Sequence, residues 1–271
     1  MRRFAYLWFV LLMLYSAGAG ASALCPQPLR VALSDRGYAS YRTADGYDGI
    51  AVDLLNAAAG RVGCKIEFVW LPSARVMTEL KAQHVDIVPS LFQSSERDAI
   101  GAYIPYGYTR ITLVLPKRVS GSYHSLADFV AHSDARLNMV RGIYLGQAIA
   151  PLLAQLERSA RLEVVRDFDT LFRKIRLGRA DAALTTPEVY LRHLQQELER
   201  DFTVLPIPEL PPQIIGMYLS HSTVPPALLA AFARAVAAMG KDGTVRQIYL
   251  RHLPAPLVNK LFAPGPPPIK D

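Results

Sequence analysis

Two successive series of alternating strand-like and helix-like segments constrain the fold of this chain more than any other feature. In the first series, residues 29–33, 65–70 and 85–89 are short apolar runs typical of strands. Between them, residues 49–62 and 73–83 carry apolar side chains at helical spacing. Strands that alternate with helices along a chain predict an α/β architecture with mostly parallel sheets.

The second series extends the same alternation over most of the remaining chain. Its predicted strands are residues 136–140, 162–165, 180–184, 202–206 and 214–220, whereas residues 111–115 are the last predicted strand of the first series. The further predicted helices are residues 94–100, 125–130, 143–157, 167–177, 187–199, 225–239 and 244–252. Two such series predict two α/β lobes, and Asp45-Gly46 predicts a hairpin in the first lobe.

The first 23 residues predict a secretory signal peptide. Arg2 and Arg3 precede an apolar run over residues 4–15, and small residues follow as far as Ala23. The apolar run is too short to span a bilayer comfortably. We therefore expect cleavage after Ala23 and a periplasmic location, with an uncleaved membrane anchor as the alternative.

The positive net charge of the chain does not by itself indicate that it binds nucleic acid. The 271 residues include 30 Lys and Arg and 23 Asp and Glu, a formal net charge of +7, and basic chains often bind nucleic acid. Cleavage after Ala23 leaves 248 residues with 28 basic and 23 acidic side chains, a net charge of +5. Because these charges are mixed on an exported chain, we expect no nucleic-acid partner. The hydrophobic fraction of 51% excludes an intrinsically disordered chain.

The two cysteines, Cys25 and Cys64, each precede a predicted strand. An oxidising compartment favours a disulfide between them, which is feasible if the two strands are parallel neighbours. Two unrelated buried thiols are the alternative. Leu24 stands where the signal of a lipoprotein has a small residue, so we expect that Cys25 is not lipidated.

Six segments between Leu29 and Leu253 share the order and spacing of the motifs of one protein family. They are residues 29–35 followed by Tyr38, 46–54 (G-Y-D-G-I-A-V-D-L), 80–87 (L-K-A-Q-H-V-D-I), 94–97 (S-S-E-R), 178–183 (G-R-A-D-A-A) and 239–244 (M-G-K-D-G-T). Together they resemble the family 3 extracellular solute-binding proteins, which are periplasmic receptors of ABC importers, typically for amino acids. The resemblance implies a two-lobed periplasmic-binding-protein fold of type II, in which two crossing hinge strands join the lobes and the solute binds in the cleft between them.

The resemblance also implies where the chain changes lobe. It places the first crossing at residues 113–117 and the return at residues 214–220. The expected division is a first lobe over residues 24–115 and 214–260, a second lobe over residues 116–213, and a Pro-rich tail over residues 261–271.

A solute carboxylate that leaves water needs charge-assisted partners, and arginine offers a planar, bidentate pair of donors. The resemblance places Arg97 in the carboxylate-binding position of its motif, where a surface arginine is the alternative. The other residues that it places in or near the cleft are Asp35, Tyr38, Arg75, Ser90, Phe92, Ser95, Gly142, Tyr144 and Thr186. For Asp35 the alternative is a loop-capping role, and for Arg75 it is a solvated position on a helix.

Thr186 is the main departure from the family pattern. The resemblance implies at this position an acid that pairs with the α-ammonium of the solute, and threonine supplies no charge. A buried ammonium without a carboxylate partner is unfavourable. Glu188 lies two residues further on and either reaches the cleft or serves as a first-turn helix acid. We therefore expect a carboxylate solute that lacks the amine, or an amine that is bound differently.

The resemblance implies a binding receptor that captures a small carboxylate-containing or amino-acid-like solute and delivers it to the membrane permease of an ABC importer, and we expect a monomer. No catalytic residue, metal or cofactor is expected. The sequence lacks G-x-S-x-G, H-E-x-x-H and Walker motifs, and His193 with Glu197 supplies too few ligands for zinc. The alternatives are an enzyme similar to cyclohexadienyl dehydratases, with Glu188 as its general acid, and a ligand sensor that binds a membrane receptor without transport.

Overall fold

The structure is a computed structural model that describes residues 24–120, 123–131, 134–143, 145–207 and 210–263. The expected signal peptide (residues 1–23), Tyr144 and residues 264–271 of the expected tail lie outside the described residues. None of the described helices is both long enough and apolar enough to cross a membrane.

Within these ranges the chain forms twelve strands and twelve helices. The strands are β1 (Leu29–Leu33), β2 (Tyr41–Thr43), β3 (Gly46–Asp48), β4 (Ile66–Trp70), β5 (Ile87–Leu91), β6 (Gly101–Thr109), β7 (Thr112–Pro116), β8 (Leu137–Val140), β9 (Leu162–Val165), β10 (Ala182–Thr185), β11 (Phe202–Pro206) and β12 (Gln213–Ser220). The helices are α1 (Ile50–Val62), α2 (Val76–Lys81), α3 (Ser95–Asp98), α4 (Lys117–Ser120), α5 (Leu126–Ala131), α6 (Ala150–Arg158), α7 (Phe168–Arg176), α8 (Pro187–Leu194), α9 (Glu197–Asp201), α10 (Pro226–Lys241), α11 (Thr244–His252) and α12 (Ala255–Leu261).

The first sheet has the strand order β4-β1-β5-β12-β6. Strand β1 runs parallel to both β4 and β5, which confirms the predicted parallel neighbours, whereas β12 runs antiparallel to β5 and β6. Helices α1 and α10 cover this sheet with apolar side chains. Leu33, Ile50, Leu54 and Phe232 lie at the centre of the resulting core and are at most 2% exposed.

The second sheet has the strand order β11-β7-β10-β8-β9. Strand β8 runs parallel to β9 and β10, and β7 runs antiparallel to β10 and β11. Leu113, Phe129, Leu137 and Phe172 are buried in cores of its own. Two sheets with separate cores confirm the predicted two-lobed fold, and the first and second lobes are named here after their sheets.

The chain passes from the first sheet to the second between β6 and β7, and it returns between β11 and β12. This differs from the expected first crossing at residues 113–117 and from the assignment of residues up to 115 to the first lobe. Strand β7 pairs along its whole length with β11 and also with β10. Because this apolar run is completely buried between two partners, it is a core strand of the second lobe rather than a connection.

Strand β6 has no counterpart among the predicted strands. Pro105 and the glycines Gly101 and Gly107 interrupt its apolar pattern. The strand lies at the edge of its sheet, where a residue without an N–H donor is tolerated. Its register with β12 also shifts between Ile215 and Gly216. Strand β6 is therefore identified by its pairing with β12 and not by its local apolar pattern.

Two predicted helices also differ from those observed. The helix predicted over residues 143–157 begins at Ala150, and Pro151 occupies its first turn, where a missing N–H is harmless. The helix predicted over residues 187–199 is divided into α8 and α9. The division falls at Gln195, whose φ of 43° is incompatible with a continuous right-handed helix.

Cys25 and Cys64 form the predicted disulfide, and their Cα atoms are 5.4 Å apart. Leu29 of β1 pairs with Ile66 of β4, so the two cysteines lie side by side just before two parallel strands. The bond joins residues that are 39 positions apart in the sequence. It therefore ties the first strand to the far end of the first strand-helix-strand unit.

We expect this disulfide to stabilise the fold by about 3–4 kcal/mol, because a loop of this length has a large closure entropy in the unfolded chain. The double variant Cys25→Ser/Cys64→Ser should show this loss of unfolding free energy in urea titrations. Dithiothreitol should lower the stability of the wild type to the same level and leave the double variant unchanged. Equal unfolding midpoints for wild type and double variant would contradict the expected contribution.

Candidate functional site

A cavity of about 60 Å³ lies between the two lobes. The first lobe contributes residues at the ends of β1 and β5 and in the middle of β6, and the second lobe contributes the segment after β8 and the start of α8. The carboxyl ends of parallel strands are the usual ligand-binding edge of α/β sheets. Pockets for drug-sized ligands measure about 300–1,000 Å³. This cavity is smaller, so with the lobes in contact it fits only a small solute.

Among the described residues, five of the predicted site residues line this cavity: Ser90, Phe92, Arg97, Gly142 and Thr186. The guanidinium Nη1 of Arg97 donates a hydrogen bond to the Phe92 carbonyl over 2.8 Å. The Ser94 side chain accepts a hydrogen bond from the Arg97 backbone N–H and so caps the start of α3. The ring of Phe92 packs against the core of the second lobe. Both residues therefore lie where the lobes meet.

Ser90 has a strained backbone at the end of β5. Its φ of 60° lies in the left-handed region, which costs a non-glycine residue about 1–2 kcal/mol. Its Oγ lies 3.1 Å from the hydroxyl oxygen of Tyr106, and burial raises the pKa of Tyr106. Strained residues persist where the surrounding structure holds them, and they cluster at binding sites. The two hydroxyl groups form a fixed polar pair in the cavity wall.

Two predicted site residues lie on the surface instead. Ser95 is exposed in the short helix α3 and does not line the cavity. Arg75 is 65% exposed, and its Nη2 lies 2.8 Å from Oε1 of Glu79, one helical turn away. Arg75 therefore lies at a solvated position beside a helix, which was the alternative prediction for it.

Asp35 and Tyr38 contact the second lobe beside the cavity rather than lining it. Asp35 Oδ2 lies 3.3 Å from Nε2 of His193, and Oδ1 accepts the Gly37 N–H over 3.0 Å. Burial alone would raise the pKa of Asp35, but its contacts with His193 and with Gly37 together lower it below its ordinary value. The backbone N–H of Tyr38 donates to the Glu188 carbonyl over 2.8 Å. Both predicted residues thus hold the lobes together.

Arg36, which the sequence interpretation did not select, lies in the cavity wall after the end of β1. Its Nε is buried and has no hydrogen-bond partner among the described residues. Burial, assisted by the nearby charge of Arg97, lowers the pKa of Arg36 to about 10, so its side chain is still a cation at neutral pH. Its position after a parallel strand, at the ligand-binding edge of the sheet, is the signal that identifies it.

Glu188 is a buried carboxyl group in the same cavity. It is 4% exposed, and Oε2 accepts the Thr109 hydroxyl over 2.9 Å. Burial raises the pKa of Glu188, although hydrogen bonds from its own backbone N–H and from the Thr109 hydroxyl oppose the shift. Both of the roles considered for Glu188 apply, because it lies in the first turn of α8 and also reaches the cleft. The cavity therefore contains a carboxyl group two residues after the position where the family pattern has its acid.

The first turn of α8 also forms a close contact between the lobes. Gly37 has a φ of 60°, and a Cβ at this position would lie 2.5 Å from the Cα of Val189. At a second contact, a Cβ on Gly142 would lie 2.7 Å from the Cα of Ala74. Such approaches require glycine, so the structure has the lobes in direct backbone contact.

His193 of α8 lies between Asp35 of the first lobe and Asp169 of the second. Its Nδ1 is 3.4 Å from Oδ1 of Asp169. Glu197, which the sequence places one helical turn after His193, pairs instead with Arg176 over 2.8 Å. His193 therefore takes part in an interlobe contact and shares no site with Glu197.

The family model of bacterial extracellular solute-binding proteins, family 3, matches residues 29–255. No curated protein matches the chain in sequence. The matched range begins with β1 and ends in α12, so it includes both lobes and both passages between them.

Solved structures share the fold over most of the chain. One is an ancestral amino acid-binding protein, AncCDT-1, a precursor of cyclohexadienyl dehydratase, with 24% identity, a TM-score of 0.69, and coverage of 83% of this chain and 94% of that chain. Another is a histidine kinase sensor domain with similarity to periplasmic binding proteins, with 18% identity, a TM-score of 0.70, and coverage of 84% and 96%. A third is a substrate binding protein of an ABC uptake transporter from Streptococcus pneumoniae with bound histidine, with 17% identity, a TM-score of 0.69, and coverage of 83% and 92%.

We expect the Glu188→Gln variant to be more stable than the wild type at neutral pH. Because burial raises the pKa of Glu188, the wild type loses stability as the pH rises from the ordinary value of 4.5 through the raised value. Glutamine is uncharged throughout and keeps an acceptor for Thr109. The difference in melting temperature should therefore be small at a pH of about 4.5 and should grow towards a pH of about 8. A difference that does not change with pH would contradict a raised pKa of Glu188.

We expect Gly37→Ala to open the cleft, because the added methyl group collides with the backbone of Val189. Gly243→Ala is the matched control, since Gly243 has a φ of 82° but nothing within 4 Å of its Cβ position. Small-angle X-ray scattering should show a larger radius of gyration for Gly37→Ala and not for Gly243→Ala. Equal radii for the two variants would show that this contact does not hold the lobes closed.

Proposed function

This chain belongs to the bacterial extracellular solute-binding proteins of family 3, and we propose that it captures a small carboxylate-containing or amino-acid-like solute between its lobes. The observation that carries the proposal is the pair of guanidinium groups, Arg36 and Arg97, in the wall of one small interlobe cavity. A carboxylate that leaves water needs charge-assisted hydrogen bonds. Arginine supplies them in a fixed geometry and stays protonated.

The remaining wall of the cavity supports a small organic solute. Ile143, Phe168 and Ile215 are apolar, and the hydroxyl groups of Ser90 and Tyr106 are fixed by their contact with each other. A few fixed polar groups in a mostly apolar cavity are typical of sites that orient a small molecule. Closure of the two lobes about the passages between them removes the bound solute from water.

We propose that the mature chain is a periplasmic monomer that delivers its solute to the membrane permease of an ABC importer. The leader pattern of residues 1–23 supports export, and the disulfide of Cys25 leaves no thiol there for lipidation. A structure with the same fold is a substrate binding protein of an ABC uptake transporter. Another is a sensor domain of a histidine kinase, which supports ligand sensing at a membrane receptor as the alternative role.

We expect Arg97→Ala to weaken the binding of carboxylate solutes by about 30-fold or more, because removing one partner of a buried charged hydrogen bond costs about 2–5 kcal/mol. A thermal-shift screen over amino acids, dicarboxylates, polyamines and aromatic acids identifies the solutes for titration calorimetry. Arg75→Ala is the matched control, because Arg75 is exposed and pairs with Glu79. Wild-type affinity in the Arg97→Ala variant would refute the assignment of this site.

One observation favours a second function, that of an enzyme. Glu188 is a buried carboxyl group whose pKa is raised, and a general acid requires such a group near its substrate. A structure with the same fold belongs to a precursor of cyclohexadienyl dehydratase. Loss of water and carbon dioxide from prephenate or arogenate in the presence of the purified chain, abolished in Glu188→Gln, would support this function. Binding without turnover would support the receptor.

A further inference from the structure

We propose that the cleft is built for a solute with two anionic groups, of which the simplest is a short dicarboxylate, and that Arg36 selects it. The inference rests on the proposed function and deepens it. Arg97 holds one anionic group of the solute, and Arg36 holds the other.

Arg36 extends from a hydrogen-bonded turn into the cavity wall. Its backbone N–H donates to the Ser40 carbonyl over 3.0 Å, and its carbonyl accepts the Ala39 N–H over 3.2 Å. The Ser40 hydroxyl is bound in turn to the Ser34 carbonyl over 2.7 Å. The buried Nε of Arg36 nevertheless has no acceptor among the described residues. A buried charged donor without an acceptor is unfavourable, and an anionic group of the solute would remove this penalty.

The acids near the cavity are already engaged. Asp35 is bound to His193 and does not line the cavity. Glu188 lines it, but its carboxyl group accepts the Thr109 hydroxyl, and burial favours its neutral form. Over the described part of the chain, the cavity wall therefore holds two cations and at most one anion.

The two guanidinium groups also act on each other. Burial and, after it, the positive charge of Arg97 lower the pKa of Arg36. A single carboxylate at Arg97 leaves Arg36 unpaired, whereas a dianion pairs both groups. A zwitterionic amino acid adds an ammonium group, and the one carboxyl group in the described wall, that of Glu188, is already hydrogen-bonded to Thr109.

The rest of the cavity limits the skeleton of the solute. Ile50, Ile143, Phe168 and Ile215 contribute apolar surface, which suits a hydrocarbon spacer. The volume of about 60 Å³ restricts that spacer to a few carbon atoms. Malonate, succinate and glutarate have this chemistry and span the relevant lengths.

Titration calorimetry compares these three dicarboxylates with propionate, butyrate and valerate, which have the same numbers of carbon atoms. At least one dicarboxylate should bind the wild type about tenfold or more tightly than its matched monocarboxylate. Arg36→Gln should abolish this difference, so that each dicarboxylate binds no more tightly than its matched monocarboxylate. Arg97→Gln should weaken both classes.

Two further measurements separate recognition from a structural role. L-Aspartate differs from succinate by an ammonium group and should bind no more tightly than succinate. The melting temperature of ligand-free Arg36→Gln should equal or exceed that of the wild type, because the variant removes a cation whose buried Nε has no acceptor among the described residues. Arg36→Met, which keeps the apolar stem, repeats the titrations if the glutamine variant does not fold.

The inference is overturned if the dicarboxylate preference persists in Arg36→Gln and Arg36→Met. It is also overturned if monocarboxylates or L-aspartate bind the wild type more tightly than every dicarboxylate, or if no dicarboxylate binds at concentrations up to about 10 mM. The proposed function fails by a separate result, in which Arg97→Gln leaves the affinity of every bound carboxylate unchanged.

Discussion

The closed arrangement of this protein depends on how the first turn of helix α8 fits between the lobes. The Glu188 carbonyl accepts the Tyr38 N–H, and the Glu188 carboxyl group accepts the Thr109 hydroxyl, so one residue of the second lobe is bound to two separate elements of the first. Because these groups are buried, each must keep its partner while the lobes are closed. When the lobes separate, water can replace the same partners, which is what reversible domain closure requires.

This arrangement divides the charged groups of the cavity between the lobes. Arg36 and Arg97 belong to the first lobe, whereas Glu188 and Thr186 belong to the second. Closure therefore brings one carboxyl group, whose pKa burial raises, towards two guanidinium groups, and a solute must compensate the excess positive charge. The exposed arginines of the chain do not share this property, since water and surface acids screen them.

The part of the site that is encoded locally could be predicted from the sequence. Arg97 could be selected as a site residue because it lies in a capped turn shortly after the end of β5. It lines the cavity, as the motif implies. Arg75 and Ser95 have equally plausible local patterns but lie on the surface, because their orientation depends on how α2 and α3 pack. Arg36 carries no local pattern, and its role follows from the parallel pairing of β1 with its neighbours.

The sequence by itself determined the alternation of strands and helices, the two lobes, the pairing of Cys25 with Cys64 and the family to which the chain belongs. These features depend on periodicity and on spacings within one strand-helix-strand unit, which are local properties of the chain. Only the tertiary structure decided that β6 is a strand, that β7 belongs to the second lobe, and that Glu188 and Arg36 face one cavity. Arg36 and Glu188 lie about 150 residues apart in the sequence, and no local pattern records that the fold brings both to the wall of one cavity.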